Sequence, residues 1–175
     1  RRSRPYPLAP FEENIEAGIL KRGAEKLGLT TGPVPLLINS KPYNGRAACI
    51  GCSHCVGFPC PSNAKNGSFN TYLERAIATG RCDLVTGVQA TEIVTDSHGR
   101  ATGAKLVDWR SRARREIEAE HVIVAAGAME TARLLLNSKS EHHPAGLGNG
   151  HDQVGRHLQG HVYIQAFGLF DEPIA

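Results

Sequence analysis

Between Glu12 and Leu27 the apolar residues Ile15, Ile19, Leu20, Ala24 and Leu27 recur at helical intervals, which predicts an amphipathic helix. Gly28 suits the position just past its end. A second helix is expected over Ser68–Ala78, with Phe69, Tyr72, Leu73 and Ala76 on one face, Ser68 as its N-cap and Gly80 beyond it. Short strands are expected at Pro33–Ile38 and Cys82–Thr86. Val88–Thr95 alternates in part, and Ala101–Trp109 pairs back on it through the turn Asp96-Ser97-His98-Gly99. Glu116–Glu120 reads as polar and exposed. It leads into His121–Gly127, an apolar run closed by glycine and followed by a helix over Met129–Asn137, the pattern of a buried parallel strand feeding a helix. Lys139–Gly160 reads as a loop, and His161–Phe170 as a strand opening another sheet. The order points to an α/β fold.

Composition narrows the class further. The 175 residues are 41% hydrophobic and 21% charged, which fits one globular domain with its own core. Net charge is +3, and Lys and Arg read as spread along the chain, so neither nucleic acid nor an anionic membrane is expected as a partner. No apolar run approaches the ~18–20 residues of a membrane span. Nothing in the sequence names a compartment. The first residues, Arg1-Arg2-Ser3-Arg4-Pro5, lack an initiating Met, and Glu172–Ala175 closes no element, so both ends read as cut.

Three features carry candidate chemistry. After the apolar run, Ala126, Gly127 and Ala128 are small enough for backbone N–H groups to approach a ligand, and a helix N-terminus favours a phosphate; small residues packed for their own sake are the alternative. No G-x-G-x-x-G follows a strand, and Gly146-Leu147-Gly148-Asn149-Gly150 lies after a helix, so the main phosphate loop of any dinucleotide site is expected elsewhere. Cys49, Cys52, Cys55 and Cys60 crowd one short loop, a spacing closer to iron–sulfur than to zinc ligation, although His54 could join a zinc set. Packed thiols and local disulfides explain the same cluster. His142, His143, His151, His157 and His161 match no metal pattern and read as exposed or capping groups. Asn66-Gly67-Ser68 reads as a surface turn.

With these residues in place, the chain resembles the glucose–methanol–choline (GMC) oxidoreductases over nearly its whole length. Four stretches carry the resemblance: Cys49–Asn66; Thr71–Ala76 with Gly87-Val88, Thr91–Ile93 and Gly103-Ala104; Ala126–Ser138; and Val154–His161. Ala132 and Lys139 depart from the usual residues of the third. The resemblance implies part of a Rossmann-type FAD-binding domain, three-layered with mixed strands, over residues 1–155, with the cysteine loop 39–67 inserted. The first strand of an α+β substrate domain would follow over 156–175. It implies hydride transfer from a CH–OH group of an alcohol or sugar-type substrate to FAD. Val88 would meet the adenine through its backbone, Ala126, Gly127 and Ala128 would approach the cofactor, and Thr131 would cap the helix beside it. The catalytic histidine of such enzymes has no matching position, so no turnover is expected from this chain alone. Some relatives hold an iron–sulfur cluster on a similar cysteine loop and pass electrons to a partner protein, while others keep the cysteines without one.

Overall fold

The computed structural model describes residues 4–169. These divide into two compact units, one running to Asp83 and taking in the segment from Ala166, the other Leu84–Gln165.

In the first unit, α1 spans Ile15–Lys26. It starts three residues later than the apolar period suggests, because Asn14 caps it by accepting a hydrogen bond from Ala17 N. It ends as the glycine foretold: Gly28 takes φ +69°, Gly28 N donates to Glu25 O, and Leu29 N donates to Ala24 O. The cysteine loop is organised around Asn39, which is buried. Its backbone joins Ala64 O and Cys49 N, and its side-chain amide donates to the carbonyls of Tyr43 and Ala47. Asn44 and Gly45, both at positive φ, close a tight turn between Tyr43 and Arg46 of the kind that matches strand twist. The second helix opens as a π-helical turn, Phe69–Leu73, and continues as α2, Glu74–Ala78. Ser68 is already helical and makes no cap. Asn70, within the helix, instead reaches back and accepts from Gly67 N in the turn before it.

In the second unit, β1 (Val88–Thr95), β2 (Ala101–Asp108) and β3 (Arg114–Glu118) form an antiparallel meander in that order. Asp96 builds the first turn: its carboxylate accepts from His98 N and Arg100 N, which holds its pKa below the usual range. Gly103 is required where β2 meets β3, since a Cβ there would lie 2.2 Å from Ile117 O. Helix α3, Gly127–Asn137, packs on β1. Ile93, Leu106 and Leu134 are the buried apolar residues of this unit, each contributing about 1.5–3 kcal/mol on burial. The loop after α3 folds back over the first turn, where His142 Nε2 donates to Ser97 O and His143 Nε2 to Gly99 O.

Several expected strands do not form. Residues 33–38 contribute one isolated bridge, Ile38 to Lys65, and residues 82–86 and 161–169 carry no regular structure; Phe170 lies outside the described residues. The apolar run 121–126 carries no regular structure and pairs with no strand, with Ile123 90% exposed. A strand exists only through its ladder, and among the described residues no neighbour builds a continuous ladder on these segments beyond the single bridge at Ile38. Among the described residues the one sheet is antiparallel throughout, and the further strands of a layered, mixed sheet are not seen there. Conversely, Arg114–Glu118 is a strand despite a fully exposed, charged sequence, because β2 offers it a free edge.

Candidate functional site

The hydrogen-bonding parity of β1 sets the site. Trp109 N donates to Gly87 O at 3.1 Å, so Gly87 pairs toward β2 and the next residue, Val88, opposes Asp108. In an antiparallel ladder the N–H and C=O of such a residue point away from the neighbouring strand. β1 is the sheet's outer strand, so these two groups face its open edge. Two bonds farther along confirm which groups leave that edge. Arg133 reaches Ala90 O at 3.4 Å, and Ile93 N donates to Ser138 Oγ at 2.8 Å. The extra residue at Thr91, where the register shifts, is what moves the outward groups from Ala90 to Ile93.

The same two bonds orient α3. Arg133 lies beside Ala90 and Ser138 beside Ile93, so helix and strand run in the same direction. Gly127 stands about 9 Å before Arg133 along the helix, and Val88 about 7 Å before Ala90 along the strand. The start of α3 and the open edge at Val88 therefore occupy the same end of the unit. Val88 and the residues 126–128 singled out in sequence thus lie at that same end.

At that end α3 begins without a side-chain cap. The hydroxyl of Thr131 turns back and accepts from Ala126 N at 3.2 Å, which secures the entry into the helix and leaves the first-turn N–H groups to meet a ligand. Those groups, with the helix dipole, favour an anion. Gly127, at φ +83°, has nothing within 4 Å of where a Cβ would stand. Ala126, Gly127 and Ala128 are all exposed. An open pair of backbone groups suited to a nucleobase edge and a bare helix start suited to phosphate, at one end of the unit, are the kinds of group a dinucleotide cofactor needs. Arg133, within α3, and Ser138, just past its end, hold the two parts in register, and periodicity singles out neither. Trp109 is a further residue that periodicity alone does not single out.

Two of the four clustered cysteines, Cys49 and Cys60, accept local hydrogen bonds. The Cys60 thiol is lowered to about 7 by hydrogen bonds from Lys65 N and the Ser62 hydroxyl, and Cys49 Sγ accepts from Gly51 N. Among the described residues no group of three His, Cys, Asp or Glu side chains could hold a metal ion. The iron–sulfur cluster expected on Cys49, Cys52, Cys55 and Cys60 is therefore not supported among the described residues. All four are free thiols, as is Cys82. No described helix is long and apolar enough to cross a membrane.

Comparison with known proteins adds an independent line. A family model described as GMC oxidoreductase matches residues 9–163. The chain is 35% identical to 6'''-hydroxyparomomycin C oxidase of Streptomyces lividus, over 81% of its own length and 26% of that protein. It is 32% identical to paromamine 6'-oxidase of Streptomyces fradiae, over 97% of its length and 30% of that protein. It is 37% identical to 2-methyl-1,2-propanediol dehydrogenase of Mycolicibacterium austroafricanum, over 78% of its length and 24% of that protein. The chain thus spans less than a third of each of these relatives.

Proposed function

The chain belongs to the GMC oxidoreductase family, and on that premise we propose that the protein containing it oxidises a CH–OH group of an alcohol or sugar-type substrate with FAD. Residues 1–155 belong to the FAD-binding domain in this reading, with 39–67 inserted, and 156–175 lead into the substrate domain; residues 170–175 lie outside the described residues. The names of the relatives, two oxidases and one dehydrogenase of hydroxyl-bearing compounds, support the reaction class.

One observation carries the reading: the open backbone edge at Val88 and the uncapped start of α3 lie at one end of a single unit. FAD, when bound, supplies a ring system that accepts a hydride from the carbinol carbon. This chain's residues bind and orient. The N–H and C=O of Val88 read the hydrogen-bonding edge of adenine. Ala126, Gly127 and Ala128 admit the cofactor close to the backbone, where the first-turn amides of α3 favour its negative charge. Thr131 holds Ala126 in place for that approach. Ser138 and Arg133 lock helix to strand, so the adenine and phosphate contacts keep a fixed spacing.

None of this chain's histidines matches the family's catalytic position, so turnover depends on residues beyond it and the 175-residue chain alone oxidises no alcohol. The test is anaerobic mixing of the natural full-length protein with sugar alcohols, aminoglycosides and short diols while the flavin absorption is followed. Bleaching by one of these classes is expected, and admitting oxygen or an artificial acceptor then separates oxidase from dehydrogenase. A protein that carries flavin yet is bleached by no hydroxyl compound would contradict the proposed reaction.

A further inference from the structure

We propose that Trp109 is the stacking platform for the adenine, an inference that rests on the flavin reading above and adds a residue to it. Trp109 is the only tryptophan in the chain, yet it is 60% exposed. Its position is set by the backbone, since its N–H bonds to Gly87 O and so places the ring one residue from the open edge at Val88. Gly87 permits this closeness. It sits at φ +72°, and a Cβ there would stand 3.2 Å from the indole Nε1.

The ring is held on two sides. Gly87 meets the Nε1–Cδ1 edge, and the Arg110 guanidinium stands over the ring at 5.3 Å from its centroid. Asp108 fixes the corner beneath, because its carboxylate accepts from Arg110 N, Ser111 N and the Ser111 hydroxyl. Thr86, Gly87, Asp108, Trp109 and Arg110 line an open concavity of about 440 Å³. A flat heterocycle read at its edge by the Val88 backbone needs a π-face beside that edge, and the indole is the aromatic surface this corner offers. Stacking on an aromatic side chain tolerates any base, while the backbone pair at Val88 selects among them.

The experiment uses the natural full-length protein stripped of cofactor, with FAD, FMN and ADP as probes. Trp109→Ala is expected to weaken FAD about 5- to 150-fold, the range for loss of one base–aromatic stack. FMN, which has no adenine, should bind both proteins alike, and Trp109→Phe should restore most of the FAD affinity. Equal weakening of FAD and FMN would overturn the inference and make Trp109 a structural residue. Should Trp109→Ala not fold, the Trp109 share of the fluorescence, taken as the difference between wild type and Trp109→Phe, decides: quenching by ADP supports stacking and no quenching overturns it. A wild-type protein that binds ADP at Trp109 but no flavin would instead sink the flavin reading and leave the adenine platform standing.

Discussion

Replacing Ser138 with alanine isolates the bond that fixes α3 to β1. Ser138 is 2% exposed. Its hydroxyl donates to Leu134 O at 2.7 Å and accepts from Ile93 N at 2.8 Å. The two partners suffer differently. Leu134 O keeps a donor, because Ser138 N also reaches it at 3.1 Å. Ile93 N points off the open edge of β1 and loses its acceptor in a buried place, which costs about 1–3 kcal/mol. That is roughly a 5- to 150-fold rise in the local opening equilibrium. Hydrogen exchange by mass spectrometry on the natural full-length protein reads this directly, since peptides across Ile93 should exchange faster by that factor while α1 is untouched. FAD affinity should fall with it, because the spacing of Val88 and the start of α3 is no longer held. Unchanged exchange at Ile93 in Ser138→Ala would refute the argument that this hydroxyl joins helix to strand.

Other outcomes follow from single contacts. Gly103→Ala places a Cβ 2.2 Å from Ile117 O, so β2 and β3 must separate at a cost of about 1–3 kcal/mol, seen as a lowered Tm. Gly23→Ala is its counterpart: the site is open, within α1, and the change should stabilise that helix by about 0.5–1 kcal/mol. Thr131→Val removes the acceptor for Ala126 N and should weaken FAD more than it lowers Tm. Cys60, whose thiolate is favoured by Lys65 N and the Ser62 hydroxyl, should alkylate with a rate inflection near pH 7, and Ser62→Ala should move that inflection upward. The sign for stability is that of any acid with a depressed folded pKa: the contribution is present at alkaline pH and is lost as pH falls through about 7.

What could be read from the sequence was what local rules decide. The period of α1, its glycine stop, the β1–β2 hairpin and α3 are all encoded within a few residues of one another. Asn14 displaced the start of α1 from the apolar period to its cap, and the π-helical turn at Phe69–Leu73 follows from no periodic signal. The run 121–126 was the instructive failure. Its composition is that of a buried strand, but a strand needs a partner, and here Ile123 stands exposed with none beside it. Arg114–Glu118 failed the other way, since pairing to β2 outweighs an exposed, charged pattern. At the site, small residues announced the turn at Ala126–Ala128. The open edge at Val88 came only from the parity of a ladder, and the neighbourhood of Gly87 and Trp109 only from their pairing. The cysteines show that spacing alone does not make a centre, because among the described residues no three metal-ligating side chains converge.

The central claim is that this chain forms the adenine end of a flavin site, and its most direct measurement is the identity of the cofactor released by acid from the purified natural full-length protein. FAD is expected, in about one equivalent per chain, with less retained in Ser138→Ala. Release of FMN, or of no flavin from a folded protein that also fails to take up added FAD, would contradict it.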